Sequence, residues 1–266
     1  MVFGGVFCLV CTVAFTVILH RTSSTETAPN YAAIGCFKDK VTGRAMKLLA
    51  TYRKPSADPL DWNDLENTVI KKCAKKAMKT NSSFFGIQFY GECWGDSDQY
   101  DKYGPSSHCV RLNGANVGEK WANYVYMLTG EECANYAPLT EAFRSRDYKF
   151  DSSKGPQCDS FPYVHWKHTW YRFGAYAGRA MANECVRYGY GYCGTKKAGW
   201  FSGQLPGVKD GVQKGNVCFS EKDDCCGSSQ MIHIRNCGDF FVYKLPKTKG
   251  CFKAYCGDGQ VSDKQK

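Results

Sequence analysis

Several arrangements on which enzymatic chemistry relies are missing from this chain. No G-x-S-x-G elbow occurs, so the turn that commonly exposes an activated serine is absent, and no paired-acid motif is recognisable. The sequence holds 5 His. His165 and His168 form an H-x-x-H pair, but no third ligand lies nearby, which weighs against zinc. Paired C-x-x-C knuckles, the mark of a cytosolic zinc protein, do not occur: the single C-x-x-C, Cys8 to Cys11, lies in the apolar leader. Asp96, Asp98 and Asp101 could line a calcium loop, yet the run lacks the Gly and the distal Glu of an EF-hand, so an ordinary acidic turn is expected. These absences leave no catalytic residue, no metal and no cofactor to name. The chain is expected not to be an enzyme.

Long apolar runs are equally scarce. Val2 to Leu19 carries no charge and is followed by His20, Arg21 and the small residues Thr22 and Ser24, the pattern of a signal peptide over residues 1–28. No second apolar span exists, and the polar tail 259–266 lacks a GPI-type signal, so no stable membrane anchor is expected. Were the first run retained as a signal anchor, the positive-inside rule would favour Arg21 on the cytoplasmic side, leaving the cysteines in a reducing compartment.

Cysteine is what the chain has in plenty. Of the 16 Cys, Cys8 and Cys11 lie in the apolar leader, which leaves 14 from Cys36 onward. An even set at this density implies disulfides and an oxidising compartment, hence secretion. Adjacent Cys225 and Cys226 rarely satisfy disulfide geometry with each other and must reach two different partners. The formal charge of +10, from 35 basic and 25 acidic side chains, points to polyanionic partners, against the plainer reading of a solvated surface. Nucleic acid is not expected as a partner outside the cell.

No Pro- or Ser-rich linker divides the halves, and a boundary is expected near residues 129–132. A helix is expected over Leu60 to Lys79, where Leu65, Val69, Cys73 and Ala77 recur at four-residue spacing and Asn63 with Glu66 could form a capping box. Asp58, Asp61 and Asp64 suit the helix start, and the Lys residues at 71, 72, 75, 76 and 79 read as a solvated face that complements the dipole. Phe84 to Trp94 reads as an aromatic strand, and Val117 to Leu128 as another. Beyond the boundary, short strands such as Met231 to Arg235 and Phe240 to Leu245 are expected, in a loop-rich unit whose core is insufficient without cross-links worth roughly 2–4 kcal/mol each. In the first of these, His233 alternates with Ile232 and Ile234 and should lie on the polar face.

From Cys133 to Cys256 the motifs fall into a known register: WYRFG at Trp170 to Gly174, RAMANECV at Arg179 to Val186, CGT and GWFSG within Cys193 to Gly203, the vicinal cysteines, FFVYKL at Phe240 to Leu245 and CFKAYC at Cys251 to Cys256. This segment resembles the ten-cysteine module of the uromodulin and pancreatic zymogen-granule glycoprotein family. The resemblance implies the pairings Cys133–Cys237, Cys158–Cys251, Cys185–Cys225, Cys193–Cys256 and Cys218–Cys226; spacing alone leaves many alternatives open. In that family the module displays a mannose-rich glycan on an Asn-Gly-Thr just after the Trp. Here the stretch reads Ser202-Gly203-Gln204, so a decoy role does not carry over. The family's polymerising zona-pellucida module is not seen either, and filament formation by that route is not expected.

In the first half, IGCFKD (Ile34 to Asp39), GRAM (Gly43 to Met46), Cys73 and FFGIQFYGECWG (Phe84 to Gly95) are similar to WSC-type modules, some of which bind carbohydrate. The likeness implies one helix laid on a small sheet. Those modules hold eight cysteines; this segment has four, Cys36, Cys73, Cys93 and Cys109, with three pairings open. The expected fold class is α+β: two small disulfide-rich modules, a WSC-like one over 34–128 and a uromodulin-like one over 133–258, the second mainly short β-strands and loops.

Aromatic residues make up 15% of the chain, and flat rings can stack on the apolar faces of sugars. Trp62, Tyr90, Trp94 and Tyr100 are the candidate ligand-binding residues, with burial of Trp94 against a disulfide as its alternative. Trp170, Tyr171 and Trp200 read as core. Asn81-Ser82-Ser83 is an N-glycosylation sequon in a polar turn and is expected to be used. The expected function is non-covalent recognition of glycans or extracellular matrix proteins by a secreted glycoprotein. The alternatives are a secreted enzyme or toxin with a loop-built site, and a signal-anchored cell-surface receptor.

Overall fold

A computed structural model describes residues 28–160, 170–186 and 191–260. The apolar leader and the His165/His168 pair lie outside the described residues. Two main sheets organise the chain. The first is antiparallel, with β1 (Asn30–Lys38), β2 (Lys47–Thr51), β3 (Phe84–Gln88), β4 (Glu92–Gly95) and β7 (Ala122–Thr129) in the order β1-β7-β3-β4-β2. A two-stranded ribbon, β5 (Cys109–Leu112) with β6 (Ala115–Gly118), lies beside it.

Strand β3 is buried throughout, because this sheet is covered on both faces. Phe85, Ile87 and Cys93 pack with Tyr126 against a helical segment, while Phe84, Trp94, Val125 and Met127 point the other way, onto Ala45, Met46 and Tyr100. The helix supplies the expected stripe: Leu65, Val69, Cys73 and Ala77 are all buried. Its start differs from the expectation. Residues 60–64 stay outside the helix with a turn at 62–63, a π-helical turn follows at Glu66–Ile70, and α1 spans Lys71–Lys79. The cause is local: Asp61 Oδ1 accepts from Asn63 N at 2.9 Å, an Asx turn that holds this stretch out of the helix, and Asp64 Oδ1 accepts from Asn67 N at 3.2 Å, which caps the first helical turn. The Asn63–Glu66 capping box does not form; the Glu66 carboxylate accepts from the Tyr31 hydroxyl instead.

Two aromatic runs expected as single strands are each broken by a turn. Phe84 to Trp94 folds back at Phe89 and Tyr90, with φ of 45° and 67°, the left-handed pair of a tight hairpin. Between Val117 and Leu128, the chain turns at residues 119–121, where Trp121 has φ 66°. Gly118 is required there, because a Cβ would sit 1.9 Å from the Ala122 carbonyl oxygen.

The second sheet runs β14-β10-β11-β12-β13-β9-β8, built from β8 (Ala137–Leu139), β9 (Tyr171–Phe173), β10 (Lys197–Ser202), β11 (Val212–Glu221), β12 (Asp224–Asn236), β13 (Phe241–Lys244) and β14 (Lys253–Tyr255). Its strands are not all short. β11 and β12, of 10 and 13 residues, form a long hairpin that carries the vicinal cysteines within β12. One face buries Tyr171, Phe173, Phe219, Ile232, Ile234, Tyr243 and Tyr255, a more substantial core than the loop-rich sequence suggested. Arg144, 4% exposed, donates from both Nη atoms to the Asp159 carboxylate at 2.9 Å, and Asp159 Oδ2 also accepts from Tyr255 N at 2.8 Å. That fork fastens the loops before β9 to β14.

Among the described residues seven disulfides complete the frame. Cys36–Cys109 joins β1 to β5, and Cys73–Cys93 joins α1 to β4. In the second half the pairs are Cys133–Cys237, Cys158–Cys251, Cys185–Cys225, Cys193–Cys256 and Cys218–Cys226. The vicinal cysteines thus part: Cys226 closes onto the facing strand and Cys225 onto the segment before residue 187.

Two outcomes are expected from these cross-links. Proteolytic mapping of the unreduced protein should recover Cys185 linked to Cys225 and Cys218 linked to Cys226; a Cys225–Cys226 bond would refute the arrangement. Replacing both members of a pair by Ala should cost more for Cys36–Cys109, separated by 73 residues, than for Cys73–Cys93, separated by 20. Loop-closure entropy gives roughly 4 against 3 kcal/mol. Denaturant titration of the two double variants checks the order, and the reverse order would show that chain entropy is not the governing term.

Candidate ligand-binding surface

The four aromatic candidates separate into two pairs. Trp94 and Tyr100 are core residues, 7% and 6% exposed. The Tyr100 ring lies 4.9 Å from that of Phe37 and 4.7 Å from that of Phe84, and burial, followed by the neighbouring Asp101, raises its hydroxyl pKa. Trp94 is not buried against the disulfide. Cys93 and Trp94 are consecutive in β4, so their side chains go to opposite faces, Cys93 toward α1 and Trp94 away from it. The Trp94 ring instead receives the Arg44 guanidinium at 4.5 Å. Neither residue can present a face to ligand as a free platform.

Trp62 and Tyr90 are placed differently. Trp62 is 54% exposed, and its ring centroid is 5.4 Å from that of half-buried Tyr90, with the planes tilted by 60°. Tyr90 stands in the β3–β4 turn with Phe89. Left-handed backbone at non-glycine residues costs on the order of 1 kcal/mol each, so this turn needs outside support. It comes from the β6–β7 turn: Phe89 N donates to the Glu119 carbonyl at 3.2 Å and Tyr90 N to that of Gly118 at 3.0 Å. The Arg53 guanidinium packs over the Phe89 ring at 3.3 Å and pairs with Glu92 at 3.7 Å. On the other side, Asn113 Nδ2 donates to the Trp62 carbonyl at 3.1 Å. The result is an exposed indole beside a half-buried phenol, with a guanidinium, a carboxylate and an amide in the neighbouring turns. Such a surface can stack on an apolar sugar face while polar groups meet the hydroxyls.

The remaining candidates are occupied locally. Asp96 pairs with Lys47 at 3.5 Å and Asp101 with Lys209 at 2.9 Å, so the acidic run diverges instead of converging on a cation. Among the described residues no group of His, Cys, Asp and Glu is disposed to hold a metal. Asp58 pairs with Lys72 at 2.6 Å. His233 is half-buried between buried Ile232 and Ile234. Asn81 is exposed at the end of α1, with Ser83 also exposed, whereas Ser82 is buried and its hydroxyl accepts from Asp96 N at 2.9 Å. Trp200 donates from Nε1 to the Cys225 carbonyl at 2.8 Å, and Tyr171 is buried. Sequence reasoning passed over Trp121, which is 37% exposed, because it sits inside a run that reads as strand. The signal was the Glu119-Lys120 pair that interrupts the run.

Comparison with known proteins bears on the second half. Residues 171–257 match the family model described as the uromodulin-like D8C domain. Over 129 residues the chain is 36% identical to uromodulin of Rattus norvegicus, an alignment covering 48% of this chain and 18% of that protein. It is 31% identical over 142 residues to the pancreatic secretory granule membrane major glycoprotein GP2 of Canis lupus familiaris, covering 53% of this chain and 26% of that one. The chain therefore spans about a fifth to a quarter of the length of these relatives. No described helix is long and apolar enough to cross a membrane. With seven disulfides and these relatives, the chain is a secreted, extracellular, disulfide-bonded protein whose C-terminal half carries a uromodulin-like D8C module.

Proposed function

We propose that this protein is a non-enzymatic binding component of an extracellular matrix or mucosal-type layer, and that its N-terminal unit recognises glycan at Trp62 and Tyr90. The observation that carries the reading is the exposed Trp62 ring set beside Tyr90 on a turn of strained backbone. Single exposed apolar side chains are ordinary, but an exposed indole set beside a second ring is a surface that a sugar face can cover. All fourteen cysteines among the described residues are paired, which leaves no thiol there for nucleophilic chemistry and supports a binding role. Some relatives are named as membrane glycoproteins of a secretory granule, which supports passage through the secretory route.

The working division is a WSC-like unit over 34–128 and the uromodulin-like unit over 133–258. It is supported by the first sheet drawing on residues 30–129 and the second on residues 137–255. Asn81, exposed within the first unit, is the proposed glycan acceptor, and matrix proteins are the other partner class open to this surface.

A glycan array tests the main claim. The wild-type protein should bind a defined set of saccharides, and Trp62→Ala should lose on the order of 10-fold in affinity, about 1.4 kcal/mol, without a change in thermal midpoint. A blank array, or full retention of binding by Trp62→Ala, would remove carbohydrate recognition at this platform. Turnover in a hydrolase panel that a single substitution abolishes would overturn the non-enzymatic reading. For the acceptor, peptide-N-glycosidase should shift the mobility of the secreted protein, and Asn81→Gln should abolish that shift.

A further inference from the structure

We propose a second binding site, for an anionic saccharide bearing carboxylate or sulfate groups, in the groove where the end of β1, the loop before β5 and the β6–β7 turn meet. Lys38, Lys40, Tyr103, His108, Lys120 and Trp121 line a cavity of about 570 Å³, within the size range of small-molecule sites. Backbone bonds fix the three segments together: Lys38 N donates to the Gly104 carbonyl at 3.0 Å, Asp39 N to that of Trp121 at 2.9 Å, and Ser106 N to that of Cys36 at 2.9 Å. The site does not rest on the Trp62 platform. Tyr90 packs on the α1 side of the first sheet, whereas the groove is underpinned from the Trp94 side.

The charge distribution is lopsided for a structural reason. Asp39 also lines the groove, but its side chain is fully buried and spoken for. Its Oδ1 accepts from Lys40 N at 2.9 Å and Ala45 N at 3.1 Å, and its Oδ2 from Arg44 Nη1 at 2.8 Å and Gln88 Nε2 at 3.4 Å. Arg44 Nη1 donates to Gln88 Oε1 as well, at 3.0 Å, and its guanidinium lies 4.5 Å from the Trp94 ring and 4.7 Å from the Trp121 ring. A buried carboxylate thus holds an arginine, and the arginine holds the indole that remains 37% exposed at the rim.

Above this base, Lys38, Lys40 and Lys120 are exposed, and none is ion-paired among the described residues. Lys40 Nζ stands 4.6 Å from the Tyr103 ring and Lys120 Nζ 5.7 Å from the Trp121 ring. The half-buried carboxylate nearby, Glu119, faces His108 Nδ1 at 3.9 Å. Three unpaired ammonium groups around fixed aromatic rings match a ligand that carries both negative charge and a flat apolar face. An acidic sugar has both; a simple inorganic anion has no use for the indole.

Titration calorimetry with the whole protein tests the site, using a heparin hexasaccharide, a hyaluronan hexasaccharide and neutral maltohexaose at low and high salt. Trp121→Gly removes the indole while suiting its backbone, because glycine favours φ 66°. A triple variant, Lys38→Glu, Lys40→Glu and Lys120→Glu, reverses the rim charge. A control triple, Lys71→Glu, Lys75→Glu and Lys76→Glu on α1, makes the same change in net charge elsewhere. We expect an acidic hexasaccharide to bind, maltohexaose not to bind, and both groove variants to lose about 10-fold or more while the control loses less than about 2-fold. Binding of hyaluronan assigns the carboxylate as sufficient; binding of heparin alone assigns the sulfate. Equal loss in the control triple would reduce the effect to general charge and overturn the site. So would unchanged binding by Trp121→Gly, equal binding of maltohexaose, or no binding of either acidic probe. Thermal midpoints read alongside separate lost binding from lost folding, and the lysine triple, altering only exposed side chains, keeps the test decisive if the glycine variant does not fold.

Discussion

Pairing of the cysteines is the constraint to which the rest of the structure answers. Much of the second unit consists of segments with little regular structure of their own, including residues 140–160 and the stretch after Phe173. Such segments bury too little apolar surface to offset their conformational entropy unaided. Cys158–Cys251 and Cys193–Cys256 draw them toward β14, and the Arg144–Asp159–Tyr255 fork sets the same contact by hydrogen bonds. Cys185–Cys225 and Cys218–Cys226 do the equivalent at the β11–β12 hairpin. With the framework held in this way, the exposed surface is released from structural duty.

The first unit shows what that release permits. Its central strands β3 and β7 bury side chains on both faces, so the aromatic residues of a single short run are sorted by parity alone. Phe85 and Ile87 go to the helix; Phe84 and Trp94 go to the opposite layer. The aromatic residues left over, Phe89, Tyr90 and Trp121, fall in two turns with left-handed backbone, and those turns hydrogen-bond to each other. Rings placed in such turns are only partly packed, and with Trp62 beside Tyr90 they make up the accessible aromatic surface of this unit.

Buried charge is used in both halves, toward different ends. Arg144 and Asp159 are both enclosed and satisfy one another with the help of backbone groups, a purely structural device. Asp39 is enclosed but Arg44 is partly open, 28% exposed in its side chain, and two indoles sandwich it. Removing either member would strand a charge. The second arrangement therefore couples the interior of the sheet to a residue at the surface.

Sequence alone determined the features that depend on local periodicity and on atom inventory. The four-residue stripe of Leu65, Val69, Cys73 and Ala77 specified the buried face of the helix, the alternation of Ile232, His233 and Ile234 specified a strand, and the cysteine count specified an oxidising environment. The adjacency of Cys225 and Cys226 required two separate partners, because neighbouring residues cannot easily meet disulfide geometry. Tertiary structure decided whatever depends on which segments become neighbours. The helix began late because Asp61 formed a turn with Asn63 and the cap fell at Asp64, Trp94 turned away from the Cys73–Cys93 bond because sheet parity put it on the other face, and Trp121 became a surface ring because Gly118 closed a turn that composition disguised as strand. Propensity acts over a few residues. Exposure is a property of the packed whole, and no count along the chain reports it.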